Sequence, residues 1–159
     1  MTPGWTWRDG PVEPGPTVVV DIDGVLSDAT ARQHFLERRP QDWRGFFDSV
    51  GEDPLILELA VLLRLLDPVL RIVLLTGRPE RVQGPTIAWL ERYHVRWDVL
   101  AMRDRGDYGA ATEFKREILH RLREAGFEPV LALDDDDRNV VMFRDEGVPT
   151  IYVHSGYFS

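Results

Sequence analysis

Five short apolar runs, separated by helical patterns, constrain this chain's fold more than any other feature of its sequence. Thr17 to Asp23, Leu70 to Leu75, Trp97 to Met102, Pro129 to Leu133 and Pro149 to Val153 each read as a β-strand. Behind Asp53-Pro54, which reads as an N-cap with proline at the first helical position, Leu55, Leu59, Leu62, Leu63 and Leu66 recur at helical spacing. A second helix is predicted over Thr112 to Ala125, where Phe114, Ile118, Leu122 and Ala125 share one stripe and Gly126 supplies the stop. Strands alternating with helices imply an α/β domain whose central parallel sheet is covered by helices on both faces.

In such sheets ligands bind beyond the carboxyl ends of the strands. The polar residues of this sequence collect there. Asp21 and Asp23 close the first strand, Thr76-Gly77-Arg78 follow the second, Arg103 follows the third, and Asp134-Asp135 follow the fourth. Side chains alternate along a strand, so Asp21 and Asp23 are expected on one side, sharing a small space. Two close carboxylates repel and require a cation, a shared proton or a substrate that uses both. Gly24 supplies the turn behind them.

Lys115 is the sole lysine among 19 basic residues. A general arginine bias does not explain the exception. An ammonium is a compact point charge, whereas guanidinium is a broad planar fork, so a narrow site retains lysine. Lys115 also falls early in its predicted helix, where a cation opposes the helix dipole. Placement there points to a role other than helix stability. Carboxylates, one hydroxyl and one compact cation at the strand ends together suggest phosphoryl chemistry.

Composition narrows the class further. A chain of 159 residues, 43% hydrophobic, suits one domain with a sizeable core. The absence of cysteine removes disulfides, thiolate catalysis and cysteine-bound zinc, leaving oxygen or imidazole for any metal. His34, His94, His120 and His154 show no metal spacing. Residues 1–16, with Trp5 and Trp7 but no continuous apolar run, read as a flexible or loosely docked arm rather than a secretory signal. Charges interrupt Leu55 to Leu70, which argues against a membrane span. A soluble cytoplasmic protein is the expectation. The net charge of −8 argues against broad coating of nucleic acid and leaves room for a local basic groove. Arg32, Arg38, Arg39 and Arg44 cluster in one segment, and Arg78, Arg81, Arg103 and Arg105 follow strands; most read individually as solvated surface. Asp136 and Asp137 read as acids favouring the start of a helix.

Taken in order, Asp21-Ile22-Asp23-Gly24-Val25, Leu74-Leu75-Thr76-Gly77-Arg78, Lys115 and Leu131-Ala132-Leu133-Asp134-Asp135 resemble the motifs of the haloacid dehalogenase (HAD) superfamily. The resemblance spans about residues 17–159. It implies a HAD-like Rossmannoid three-layer sandwich with a small helical insertion, here about 27–53, and a magnesium-dependent phosphomonoesterase. By this resemblance Asp21 attacks phosphorus to form an aspartyl-phosphate, and Asp23 protonates the leaving oxygen and then activates water. Mg2+ would be held by Asp21, Asp134 and the backbone carbonyl of Asp23, with Asp135 orienting the metal shell. Lys115 and Thr76 would stabilise the transferring phosphoryl group, and Gly77, Arg78 and Arg103 would contribute to substrate binding.

Thr76-Gly77-Arg78, Arg103 with Gly106-Asp107, the acidic pair and Ser155-Gly156-Tyr157-Phe158 resemble more closely the phosphatase domain of phage polynucleotide kinase-phosphatases. That likeness implies removal of 3′-phosphates from nucleic-acid ends. No Gly-x-x-x-x-Gly-Lys-(Ser/Thr) segment occurs in this sequence, so the expectation is the phosphatase activity without the kinase half. Gly109-Ala110-Ala111-Thr112 departs from relatives that carry charges just before the lysine. Two alternatives accompany the polynucleotide reading: a phosphatase for small nucleotides or general phosphomonoesters, and a non-catalytic module that binds nucleic-acid ends or a partner. Trp43, Phe46 and Phe47 stand at helical spacing in the insertion, which suits packing on the sheet or stacking of a base.

Overall fold

The computed structural model describes residues 5–104 and 109–158. Met1 to Gly4, Arg105 and the Gly106-Asp107 pair lie outside the described residues. In chain order the elements are β1 (Trp5–Trp7), β2 (Pro16–Val20), α1 (His34–Glu37), α2 (Trp43–Asp48), α3 (Leu57–Leu65), β3 (Arg71–Pro79), α4 (Gln83–Arg92), β4 (Val99–Arg103), α5 (Ala111–Glu124), β5 (Glu128–Asp134), α6 (Asp137–Asp145) and β6 (Thr150–Tyr152).

The strands form one six-stranded sheet in the order β1-β4-β3-β2-β5-β6. All neighbours are parallel except β1, which runs antiparallel to β4. The two-residue period of a strand divides its side chains between two apolar layers. Val18, Val20, Ile72, Leu74, Leu100 and Leu133 enter one layer with Leu63, Trp89 and Leu90. Val19, Val73, Leu75, Val99, Ala101 and Ala132 enter the other with Phe114, Ile118, Leu122 and Phe143. Each fully buried aliphatic side chain contributes about 1.5–3 kcal/mol, so the paired layers fix the register of the sheet. The result is the expected three-layer α/β sandwich.

Two expectations are corrected. Trp5–Trp7 is an edge strand rather than part of a loose arm: it pairs with Val99–Ala101, and Trp5 packs edge-on to Phe127 at 6.2 Å. Helix α3 starts at Leu57 instead of at Pro54. The Asp53 side chain that seemed to cap it serves Arg32 and Ser27, while the Pro54 carbonyl accepts from the Asp28 amide. Segment 27–53 forms only α1, α2 and two 3-10 turns, Thr30–Arg32 and Val50–Glu52. Among the described residues no helix is long and apolar enough to cross a membrane.

Strand order sets the position of the site. The chain passes from β2 to β3 and β4 on one side, then crosses to β5 and β6 on the other. The switch therefore lies between β2 and β5, at whose carboxyl ends stand Asp21 and Asp134.

Candidate active site

Three buried carboxylates converge at this switch point. The Asp21 amide donates to the Leu133 carbonyl at 3.0 Å, joining the exit of β2 to the end of β5. One oxygen from each of Asp21, Asp134 and Asp135 lies within 4.8 Å of the others. Lys115, projected from the second turn of α5, places Nζ 2.7 Å from Asp134 Oδ2 and 3.2 Å from Asp21 Oδ1. Asn139 donates to both oxygens of Asp134, and the Thr112 hydroxyl in turn donates to Asn139 at 2.8 Å.

The electrostatics follow from this crowding. Burial raises the Asp21 carboxyl well above the usual range; Lys115 opposes the shift, and Asp134 and Asp135 add to it. Burial likewise raises Asp135. Lys115 is held in its charged form: burial favours losing the proton, but Asp134 and Asp21 more than offset this.

Gly24 permits the close approach. Its φ is +82°, and a Cβ there would lie 2.2 Å from Asp135 Oδ2 and 3.0 Å from Ser155 Cβ. Asp135 Oδ2 is buried and has no hydrogen-bond partner among the described residues. An orphaned carboxylate oxygen beside two further carboxylates, all hard donors, fits a small divalent cation.

Asp23 does not join this group. Beyond Val20 the strand ends, and the amides of Val25, Leu26 and Ser27 converge on the Ile22 carbonyl, so strand alternation no longer governs Asp21 and Asp23. Asp23 turns instead into a guanidinium clamp. Arg32 Nη2 lies 2.6 Å from its Oδ1, and Arg78 donates through Nη2 at 2.8 Å and Nε at 3.2 Å. Burial pushes the Asp23 carboxyl up, but Arg78 and Arg32 outweigh it and bring the pKa down to about 2.

The clamp itself is braced from behind. Asp53, 3% exposed, accepts from Arg32 Nε at 2.8 Å and Nη2 at 2.6 Å, and also from the Ser27 hydroxyl. The Phe46 carbonyl accepts from Arg32 Nη1 at 3.0 Å, Thr86 from Arg78 Nη1 at 3.1 Å, and the Asp53 carbonyl from Trp89 Nε1 at 2.7 Å.

Several sequence expectations change as a result. Arg78, expected to bind substrate, is fully buried, with its donors directed to Asp23, Ser27 and Thr86. Arg32 was grouped with solvated arginines yet is 2% exposed. Thr76 is buried and accepts from the Arg78 amide at 3.1 Å, with Gly77 between them in the same strand. Arg103 donates to the Gly109 carbonyl, and its guanidinium lies 5.6 Å from the centre of the Phe114 ring. Asp136 caps α6 by accepting from the Arg138 amide, as expected of an acid at a helix start. The roles of Arg32, Asp53 and Asn139 are not legible in the sequence: Arg32 reads as solvated surface and Asp53 as a helix cap, and nothing local marks Asn139 as a donor to Asp134.

A family model described as the polynucleotide kinase PNKP phosphatase domain matches residues 15–158. The chain belongs to this family. It is therefore a HAD-type phosphatase domain.

Solved structures agree. The domain resembles a chain in the structure of a Pnkp1/Rnl/Hen1 RNA repair complex with 26% identity and a TM-score of 0.76, covering 94% of this chain and 45% of that one. It thus spans less than half the length of that relative. A haloacid dehalogenase-like hydrolase from Streptococcus pneumoniae (12% identity, TM-score 0.60, 86% and 83% covered) shares the fold. So does the class C acid phosphatase from Bacillus anthracis (17%, 0.61, 92% and 69%). A comparison with curated proteins found no match.

Proposed function

We propose that this domain removes phosphate from the 3′ ends of polynucleotide strands, with Asp21 as the nucleophile. The observation that carries the reading is the Asp21 carboxylate, buried 3.2 Å from the Lys115 ammonium beside a pair of further carboxylates. A relative from an RNA repair complex supports the polynucleotide substrate. A cytoplasmic location goes with this reading.

Asp21, Asp134 and Asp135, with the backbone carbonyl of Asp23, would hold Mg2+. The ion supplies positive charge that relieves carboxylate repulsion and lets an anionic phosphate approach. Asp21 attacks phosphorus, its C–O–P bond forming as the bond to the 3′ oxygen breaks. Lys115 and Thr76 stabilise the charge on the transferring group. Arg78 and Arg32 keep Asp23 ionised before substrate arrives. The proton for the leaving oxygen thus comes with the phosphate monoanion and passes through Asp23. In the second step Asp23 takes a proton from water as that water attacks the aspartyl-phosphate, releasing phosphate and restoring Asp21.

The test is phosphate release from a 3′-phosphorylated oligonucleotide and from the corresponding 3′-mononucleotide, with Mg2+ and with chelator. The oligonucleotide is expected to have the higher kcat/KM. With the net charge at −8, the advantage is expected to shrink gently as salt rises. Equal efficiencies at low salt would favour a small-nucleotide phosphatase, and no release from any phosphomonoester would favour a binding module.

A further inference from the structure

The insertion carries an aromatic surface that the chemistry above does not use. Phe46 is buried, but Trp43 is 49% exposed, although its indole is among the largest apolar groups in the chain. Its support is rigid. Phe47 stacks against it at 5.8 Å with the planes 25° apart, and Phe46 stands edge-on at 5.7 Å. The Asp42 side chain caps α2 by accepting from the Gly45 amide, which fixes the helix that presents the ring. An exposed indole costs hydration free energy, and an aromatic base already braced by two rings loses little entropy when another ring stacks on it.

Position links this ring to the reacting centre. The Arg32 guanidinium lies 4.4 Å from the centre of the Phe46 ring while donating to Asp23. Trp43 is the next ring outward. A chain of contacts thus joins Asp23 through Arg32 and Phe46 to Trp43. Two arginines lie close to Trp43 in the sequence. Arg39 donates only to the backbone carbonyls of Leu36 and Arg38 and meets no acid among the described residues. Arg44 is 86% exposed at the side chain and reaches Asp48 only at 3.9 Å. Such an exposed pair is weak and exchanges readily for a phosphate. Arg39 and Arg44 thus stand available to the phosphates of a polynucleotide, although Glu37, Asp42 and Asp48 balance the charge of the segment as a whole.

We propose that Trp43 is a stacking platform for a base upstream of the 3′ end of a single-stranded polynucleotide, with Arg39 and Arg44 facing the adjacent phosphates. The proposal rests on the polynucleotide reading of the site. Base stacking on an aromatic side chain is sequence-tolerant and worth about 1–3 kcal/mol, or roughly five- to 150-fold in affinity.

Two measurements test it. In the first, kcat/KM is compared for 3′-phosphorylated oligonucleotides with intact and abasic upstream positions, using wild type, Trp43→Ala and Trp43→Phe. Removing one upstream base should lower wild-type kcat/KM at least about fivefold, by the stacking free energy. The loss should nearly vanish in Trp43→Ala and persist in part in Trp43→Phe. An abasic penalty equal in wild type and Trp43→Ala would overturn the platform while leaving 3′-phosphatase activity intact. In the second, fluorescence anisotropy follows a labelled single-stranded oligonucleotide ending in a 3′-hydroxyl. Weaker binding by Trp43→Ala would support the platform even if no phosphate were released, and the same affinity in both proteins would reject it. Circular dichroism establishes that each variant is folded.

Discussion

Lys115 Nζ lies 3.2 Å from Asp21 Oδ1, inside a space it shares with Asp134. The contact explains why the chain keeps one lysine while every other basic side chain apart from histidine is arginine. The ammonium is 3% exposed at the side chain and engages two carboxylates at once. A guanidinium there would have to displace Asp134 or Asp21.

Lys115→Arg is therefore expected to fail to restore full activity despite its conserved charge. Lys115→Ala should lower kcat on the order of a hundredfold or more, the usual effect of losing one preorganised electrostatic contact. Steady-state kinetics on a single phosphomonoester check both, and near-normal turnover by the arginine variant would contradict the geometric argument.

Asp53 braces the clamp without reaching the carboxylates of the reacting centre. Asp53→Asn removes one charge from a buried network that includes Arg32 and Arg78. A destabilisation of roughly 3 kcal/mol is expected, read from urea unfolding. Because Arg32 orients Asp23, kcat should fall more than KM rises. A variant with wild-type stability and kcat would show that the brace is dispensable.

The pH profile of kcat/KM should be bell-shaped. On the acid side, activity rises as the Asp21 nucleophile loses its proton; burial raises its carboxyl in the metal-free domain, and Lys115 opposes that shift. On the alkaline side, Asp23 has a pKa of about 2 and brings no proton of its own. Activity should decline as the substrate phosphate loses its second proton near about pH 6. A rate still rising at pH 8 would contradict proton delivery by the substrate. For stability the sign is separate. A folded-state pKa near 2 means that the Asp23 clamp contributes fully above the unfolded carboxyl's ordinary value of 3.8. That contribution, roughly 2 kcal/mol, is lost as pH falls through about 2.

The sheet and the acidic cluster were legible because their signals are local. Val18 to Val20 announces a buried strand, and Asp21, Lys115 and Asp134 fall where strand ends and an early helical turn project them. The clamp was hidden because its charges come from distant segments. Arg32 and Asp53 stand 21 residues apart, and Arg78 and Asp23 55 apart. Whether an arginine is solvated or buried depends on which carboxylate the fold brings to it. The Trp5–Trp7 strand was equally hidden, since three residues carry little period and pair only because β4 offers an open edge. Asp53 misled for the opposite reason: Asp-Pro is a sound helix-start signal, but two buried donors competed for its carboxylate.

The mechanism turns on Asp21 as the nucleophile toward phosphorus, and trapping the aspartyl-phosphate with borohydride after acid quenching during turnover tests this most directly. Mass spectrometry of the peptide containing Asp21 reads the trapped residue, and a substrate with a chiral phosphate reads the stereochemistry at phosphorus. Attack by Asp21 predicts an acyl phosphate that borohydride reduces, so that part of this peptide carries homoserine in place of Asp21, and it predicts retention of configuration at phosphorus, because two in-line displacements follow one another. No reduced peptide, together with inversion of configuration at phosphorus in a substrate with a chiral phosphate, would mean a single displacement by water and would contradict the mechanism.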